Sequence, residues 1–164
     1  MTEQGARVTW AAAGEGERRW FVGTLATITV PGETNDGRFA LIEFLFPKGA
    51  SPPLHTHPQD ESYFVLEGGL TIRAAEERFE LAAGGTALVP MGVPHTFRVD
   101  SEGARVLVLS TPAGLDRLVR DGSVPATAAT LPPPETPRPS TDELIEIFRA
   151  HGQMNLGPPL GPDD

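Results

Sequence analysis

Short apolar segments follow one another along most of the chain, and turn residues such as Pro31-Gly32 separate them. Within residues 27–30, apolar and β-branched positions alternate with threonine, a period of two that is typical of β-strands. Regularly spaced short strands favour a sandwich or a barrel. We therefore predict an all-β fold, a β-barrel, with strands in residues 20–22, 25–30, 39–46, 63–66, 70–73, 79–81, 86–89, 95–99 and 105–109.

The two ends of the chain depart from this pattern. Residues 1–18 are small and polar, and we expect a loosely held N-terminal arm with one short strand around Val8 to Trp10. Residues 19–112 form the predicted barrel, and residues 113–164 form an extension beyond it. Because no internal repeat is visible, we expect one barrel and not two fused ones.

The C-terminal extension predicts two short helices. Residues 113–120 carry leucines at helical spacing and stop at a glycine, and residues 123–139 form a Pro-rich connector. The sequence Ser140-Thr141-Asp142-Glu143 is a capping box that opens a second helix, which Gly152 closes. We expect residues 156–164 to be a mobile tail.

Composition and charge exclude several functions. The net charge of -9 and the lack of any basic cluster longer than Arg18-Arg19 argue against nucleic acid as a partner. No apolar run approaches the ~18 residues needed to span a membrane, and no signal peptide is visible, so we expect a cytoplasmic protein. The chain has no cysteine, so a metal would bind imidazole and carboxylate groups.

Three of the four histidines fall in the strand region. His55 and His57 are two residues apart, so they share a face of an extended chain, and Glu61 follows four residues later. His95 comes after a rigid turn that would deliver it from a later strand. Three imidazoles and one carboxylate suit one divalent ion of Fe, Ni, Co, Mn or Zn, whose identity the sequence leaves open.

The first metal-binding segment matches a known motif. Gly49, His55, His57, Glu61 and Gly68 reproduce the first motif of the cupins, in which G, H-x-H, E and G recur at fixed spacing. In this respect the chain resembles the cupin superfamily, whose fold is a jelly-roll β-barrel.

The second cupin motif matches at all positions but the last. It reads Gly84, Pro90, Gly92 and His95, and Val99 stands where the family has Asn. That Asn is not a metal ligand in the family, so the resemblance implies a metal bound by the three histidines and Glu61. Alternatively, Glu61 lies in the pocket and acts as a base without binding the metal.

Several apolar side chains are candidates for a substrate pocket. Tyr63 and Phe97 each lie two residues from a proposed ligand and should share its inward face. Other candidates, which could equally fill the barrel core, are Trp20, Phe44, Phe46 and Met91. His151 lies in the last turn of the final helix, where a cation suits the helix dipole, and we assign it a structural role.

The fold alone leaves the activity open, because cupins include dioxygenases, isomerases, cyclases, decarboxylases and binding proteins. The layout is similar to the small single-barrel bacterial proteins that resemble quercetin 2,3-dioxygenase. This resemblance implies a dioxygenase that acts with O2 on a flavonol-like or other aromatic molecule. Glu61 would be the catalytic base, with a pKa raised by burial.

Two other functions remain open at this point. One is a non-oxidative polyketide cyclase or isomerase, and the other is a module that binds a small molecule without turnover. We also expect a homodimer, because an exposed strand edge and an apolar sheet face need cover. In that dimer the N-terminal arm could cross to the partner.

Overall fold

Antiparallel strands dominate the computed structural model, which describes residues 7–164. Its two helices are α1 (Leu115–Asp121) and α2 (Thr141–Ala150), and a short 3₁₀ turn spans Gly32–Thr34. The strands are β1 (Glu17–Phe21), β2 (Thr24–Val30), β3 (Ala40–Pro47), β4 (Pro53–Thr56), β5 (Asp60–Glu67), β6 (Gly69–Ala74), β7 (Glu77–Ala82), β8 (Thr86–Val89), β9 (His95–Val99), β10 (Gly103–Thr111), β11 (Ser123–Pro125) and β12 (Met154–Pro159).

Two sheets make up the fold. One has the order β11-β1-β2-β3-β10-β5-β8 and the other the order β12-β4-β9-β6-β7. This is the predicted all-β jelly roll. Within residues 7–164 no ladder of backbone hydrogen bonds joins the two sheets, so the barrel stays open at its edges.

The core lies between the sheets and follows from the alternation in the sequence. Along β3 and β10, every second residue is buried. Ile42 and Phe44 on β3 thus face inward together with Val106 and Val108 on β10. Burying an apolar side chain of this size contributes roughly 1.5–3 kcal/mol, so the alternation fixes which face of each strand points inward.

The N-terminal arm is shorter than predicted, and part of it lies outside the described residues, which begin at residue 7. The prediction of a strand at Val8 to Trp10 is wrong, because these residues have no strand pairing and both Val8 and Trp10 are exposed. Strand β1 already begins at Glu17. The short β-prone run therefore lacks the partner strand that it needs.

The C-terminal tail predicted as mobile is in fact part of a sheet. Strand β12 pairs antiparallel with β4, with Asn155 opposite His55, and Leu160 after it is buried. Its Pro- and Gly-rich sequence shows no alternation, and the partner strand lies about a hundred residues earlier in the chain. The start of the predicted connector is also a strand, since Ser123–Pro125 pairs with β1.

Both predicted helices are present. The side chain of Ser140 accepts a hydrogen bond from the backbone N–H of Glu143, whose carboxylate accepts one from the N–H of Ser140, and this capping box starts α2. The ring of Phe148 on α2 meets the ring of Phe21 on β1 edge to face, with centroids 6.3 Å apart. No helix in residues 7–164 has the length and apolarity to cross a membrane.

Candidate metal centre and its cavity

Strand pairing brings two of the histidines together. His55 on β4 lies directly opposite His95, the first residue of β9. His57 follows just after β4, and Glu61 is the second residue of β5. The ring centroids of His55 and His95 are 4.4 Å apart, and those of His57 and His95 are 4.8 Å apart.

Backbone carbonyls orient all three imidazole rings. The Nδ1 of His55 pairs with the carbonyl of Pro53 at 2.7 Å, and the Nδ1 of His95 pairs with the carbonyl of Val93 at 2.8 Å. The Nδ1 of His57 pairs with the carbonyl of Gln59 at 3.1 Å. Because a carbonyl oxygen only accepts, each Nδ1 must carry the proton, which leaves Nε2 with a free lone pair. Metal-binding histidines are held by such bonds.

The free lone pairs converge on one point. One ligand atom from each of the three histidines lies within 4.8 Å of the other two. The Oε2 of Glu61 is 3.1 Å from the Nε2 of His57 and 3.2 Å from the Nε2 of His95. With neutral rings these atoms are all acceptors, so a cation between them, either a metal ion or a proton on one ring, stabilises their close approach. The donor set fits one divalent transition-metal ion.

The pKa values of His55 and His57 shift in opposite directions. Burial and the neighbouring His95 lower the pKa of His55 to about 4, so its ring is neutral at pH 7. Burial alone would lower the pKa of His57, but the hydrogen bond and the charge of the Glu61 carboxylate, together with backbone hydrogen bonds, outweigh burial and raise it. A proton between His57 and Glu61 can therefore occupy part of the space that a metal ion would fill.

The pKa of Glu61 moves opposite to the direction expected from sequence. Burial raises the pKa of this carboxyl, but the hydrogen bonds to His57 and His95 outweigh burial and hold it below the usual range. The expectation of a raised pKa is therefore wrong for this arrangement of side chains, because Glu61 is surrounded by imidazoles as well as apolar walls. Glu61 is thus a carboxylate at neutral pH.

Tyr63 connects the metal centre to the cavity wall. Its hydroxyl donates to the Oε2 of Glu61 at 2.5 Å, and burial together with the Glu61 charge raises its pKa well above 10. The phenol therefore stays protonated and fixes the carboxylate in place. Its ring lies edge to face with Phe97, with centroids 6.1 Å apart.

An apolar cavity of about 370 Å³ opens onto the candidate metal centre. Among the described residues that line it there is no lysine or arginine, and the acidic one is Glu61. The volume falls in the range of small-molecule sites. Its walls include the rings of Phe21, Phe44, Phe46, Tyr63, Phe97 and Phe148.

The structure separates the predicted pocket residues into two groups. Tyr63, Phe97, Phe44 and Phe46 line the cavity. Met91 does not, because it lies in the turn after β8 with 54% of its surface exposed, and its prediction as a pocket residue is wrong.

Trp20 also lies outside the cavity lining. Its indole N–H donates to the carbonyl of Thr130 in the Pro-rich connector. The cavity is also lined by four residues that the sequence did not lead us to predict, namely Phe21, Leu115, Leu118 and Phe148. The last three lie on the apolar faces of α1 and α2, and the helical spacing of apolar residues in the sequence could have identified them.

The fourth histidine lies outside the cluster of three. The Nε2 of His151, which follows α2, pairs with the Oδ2 of Asp121 at the end of α1, 2.7 Å away. His151 therefore ties the two helices together.

Comparisons with known proteins agree with the fold and the motif. The family model described as "Cupin domain" matches residues 42–111. The quercetin 2,3-dioxygenase of Bacillus subtilis (strain 168) is 30% identical over 135 residues, which cover 82% of this chain and 40% of that protein. This chain thus spans less than half of that relative's length.

A second relative matches over most of its own length. An uncharacterised protein of Streptomyces coelicolor is 37% identical over 89 residues, covering 48% of this chain and 83% of that protein. Among solved structures, an RmlC-like cupin from Shewanella frigidimarina superposes with a TM-score of 0.57 at 20% identity, covering 68% of this chain and 96% of that one. At that identity the likeness concerns the fold alone.

Proposed function

This chain belongs to the cupin superfamily, and from that premise we propose that it is a metal-dependent dioxygenase acting on a neutral, flavonol-like aromatic molecule. One observation carries the proposal. Three imidazole Nε2 atoms and the Glu61 carboxylate meet at the wall of an apolar cavity of about 370 Å³. A site of this kind can bind a metal ion and a chelating aromatic molecule side by side.

The proposed ligands of the metal are His55, His57, His95 and Glu61. Three of them are preorganised by the carbonyl bonds to Nδ1, and Glu61 by the hydroxyl of Tyr63. When bound, the metal would supply Lewis acidity that favours deprotonation of a phenolic hydroxyl next to it. The ion is one of Fe, Ni, Co, Mn or Zn.

The cavity wall supports the choice of substrate. Because lysine and arginine are missing from the described lining residues, a phosphorylated or otherwise strongly anionic molecule would lose its hydration without a compensating charge. A flat aromatic ring system can instead contact Phe44, Phe46 and Phe97, whose rings already stack or meet edge to face at 5.2 Å.

Glu61 is the proposed base. Its carboxylate is the acidic group that lines the cavity in the described residues, so it faces the position where a hydroxyl of the substrate would lie. In the proposed step it accepts the proton of that hydroxyl. The lowered pKa makes Glu61 a weak base, so this transfer depends on the acidity that a bound metal would give the hydroxyl, while the Tyr63 hydroxyl keeps the carboxylate oriented. The apolar walls exclude water from the activated ring. The relative named quercetin 2,3-dioxygenase supports the same substrate class.

Oxygen consumption tests the proposal. Metal-loaded protein should consume O2 when quercetin or another ortho-hydroxylated aromatic molecule is added, and His95→Ala should not. Product formation under argon would instead identify a cyclase or isomerase. Tight binding without any product would identify a binding module. Either result would contradict the dioxygenase proposal.

We also propose that the chain forms a homodimer. Phe64 on β5 and Leu88 on the adjacent edge strand β8 are exposed apolar side chains on the outer face of the larger sheet. A second copy placed on this face would cover both side chains and the open edge. Light scattering should give twice the chain mass of 17.5 kDa, and Phe64→Asp should convert the dimer to a monomer.

A further inference from the structure

The turn between β1 and β2 contains a residue in an unfavourable backbone conformation. Phe21 pairs with Thr24, so Val22 and Gly23 form a two-residue hairpin turn with φ values of 47° and 77°. Such turns prefer Asn-Gly, because both positions need a left-handed backbone. A β-branched residue there is a clear outlier, so valine raises the energy of this turn relative to asparagine.

Packing within the chain does not explain the valine. Val22 is 46% exposed, so it is not a core residue, yet it lines the cavity. It therefore lies where the cavity meets solvent. Phe21, the preceding residue in the chain, also lines the cavity, and so does Phe148 on α2, whose ring contacts that of Phe21. We call these three residues the rim.

Residues in strained backbone conformations cluster at binding sites and active sites. We infer that Val22 is a specificity-determining residue, which contacts the outer part of a large aromatic substrate whose hydroxyls lie at the metal centre. The inference rests on the proposed function, since it takes the cavity as the substrate site. The inference adds to the proposed function that the rim is the part of the cavity that distinguishes long ring systems from single rings.

This inference predicts an uncommon combination of effects for Val22→Asn. Asparagine tolerates the left-handed conformation, so the variant should gain about 3 °C in Tm. It loses an apolar contact with the substrate, so its Kd for quercetin should rise about fivefold. The Kd for catechol, a single ring that reaches only the metal end, should change less than twofold. A residue with only a structural role would not produce this combination.

The experiment is calorimetric titration of the metal-loaded protein with quercetin and with catechol under argon, where no oxidation occurs. Ala75→Asn is the matched control, because Ala75 has a φ of 51° in an exposed turn and is not a cavity residue. It should gain Tm and keep both Kd values. Glycine adopts the same positive φ without strain, so Val22→Gly should also weaken quercetin binding. This second variant shows whether the loss comes from removing valine and not from introducing asparagine.

The outcomes separate this inference from the proposed function. An unchanged quercetin Kd in Val22→Asn, an equal loss for both ligands, or a lowered Tm would overturn the role of Val22. Binding of both ligands without O2 uptake in air would overturn the dioxygenase activity, while the ratio of the two Kd values would still decide the role of the rim. Failure of the parent chain to bind either ligand would overturn both.

Discussion

The Nε2 atoms of His57 and His95 lie 3.2 Å apart, although the Nδ1 of each ring donates to a backbone carbonyl. Two neutral imidazoles in this arrangement point lone pairs at each other. The Oε2 of Glu61 adds a third acceptor at 3.1 and 3.2 Å from these two atoms. A bound metal ion would convert this repulsion into coordination.

Removal of one imidazole should abolish metal-dependent stabilisation. Addition of Ni(II) at about 100 times its Kd should stabilise the parent by about 2.7 kcal/mol, seen as a rise of about 5–10 °C in Tm. His95→Ala should lose this rise, because it removes a buried ligand. His151→Ala, which changes the histidine outside the cluster, should retain it. An equal loss in both variants would point to non-specific binding of nickel by histidine.

Replacing Glu61 with Gln should stop turnover while the protein stays folded. The amide keeps the size of the side chain but cannot accept the substrate proton, so we expect kcat to fall at least about 100-fold. Glu67→Gln is the control, since Glu67 ends the same strand and pairs with Arg105 at the surface. Steady-state O2 uptake measures both variants, and full activity in Glu61→Gln would remove this residue from the mechanism.

Deletion of residues 154–164 should destabilise the chain and weaken metal binding. It removes the strand paired with β4, including the partner of His55, and the buried Leu160. Lost backbone hydrogen bonds and apolar burial together cost roughly 3 kcal/mol. Chemical unfolding measures this cost, and nickel titration measures the metal affinity. Deletion of residues 162–164 alone keeps β12 and Leu160, so a similar loss there would contradict this role of the strand.

The ion pair between Glu33 and Arg120 should make stability depend on pH. The hydrogen bond from the Arg120 guanidinium lowers the pKa of Glu33 below its usual 4.5. A carboxyl with a lowered folded-state pKa stabilises the protein above pH 4.5, and this contribution is lost as the pH falls through the folded-state pKa. Because Glu33 is largely exposed, about 0.5 kcal/mol is expected.

Glu33→Gln should therefore be about 0.5 kcal/mol less stable than the parent at pH 7, and this difference should shrink at pH 3. Urea unfolding at both pH values gives the comparison. Glu76→Gln changes an exposed turn carboxylate and should match the parent at both. A difference between parent and Glu33→Gln that persists unchanged at low pH would show that charge is not its source.

Local patterns in the sequence were sufficient for the core strands β3 and β10, whereas β4, which carries His55, was not predicted as a strand. The period-two alternation along β3 and β10 predicts their inward faces, and the spacing of His55, His57 and Glu61 predicts that they meet. These features depend on residues within a few positions of each other. They could therefore be predicted without knowledge of the rest of the chain.

Features that depend on distant contacts were not predictable in this way. Strand β12 exists because β4 has a free edge, and its own sequence resembles a tail. Phe148 enters the cavity lining because α2 packs against Phe21, a contact between residues more than a hundred positions apart. Met91 failed as a pocket residue because its turn directs it to solvent, although it precedes His95 by only four positions.

The proposed function depends on one divalent ion bound by the three histidines and Glu61. Metal analysis by mass spectrometry of the purified parent, His95→Ala and His151→Ala is the decisive test of this ion. We expect about one equivalent per chain in the parent and in His151→Ala, and almost none in His95→Ala. A parent that contains no metal and binds none from solution, or a His95→Ala variant that keeps its full equivalent, would contradict it.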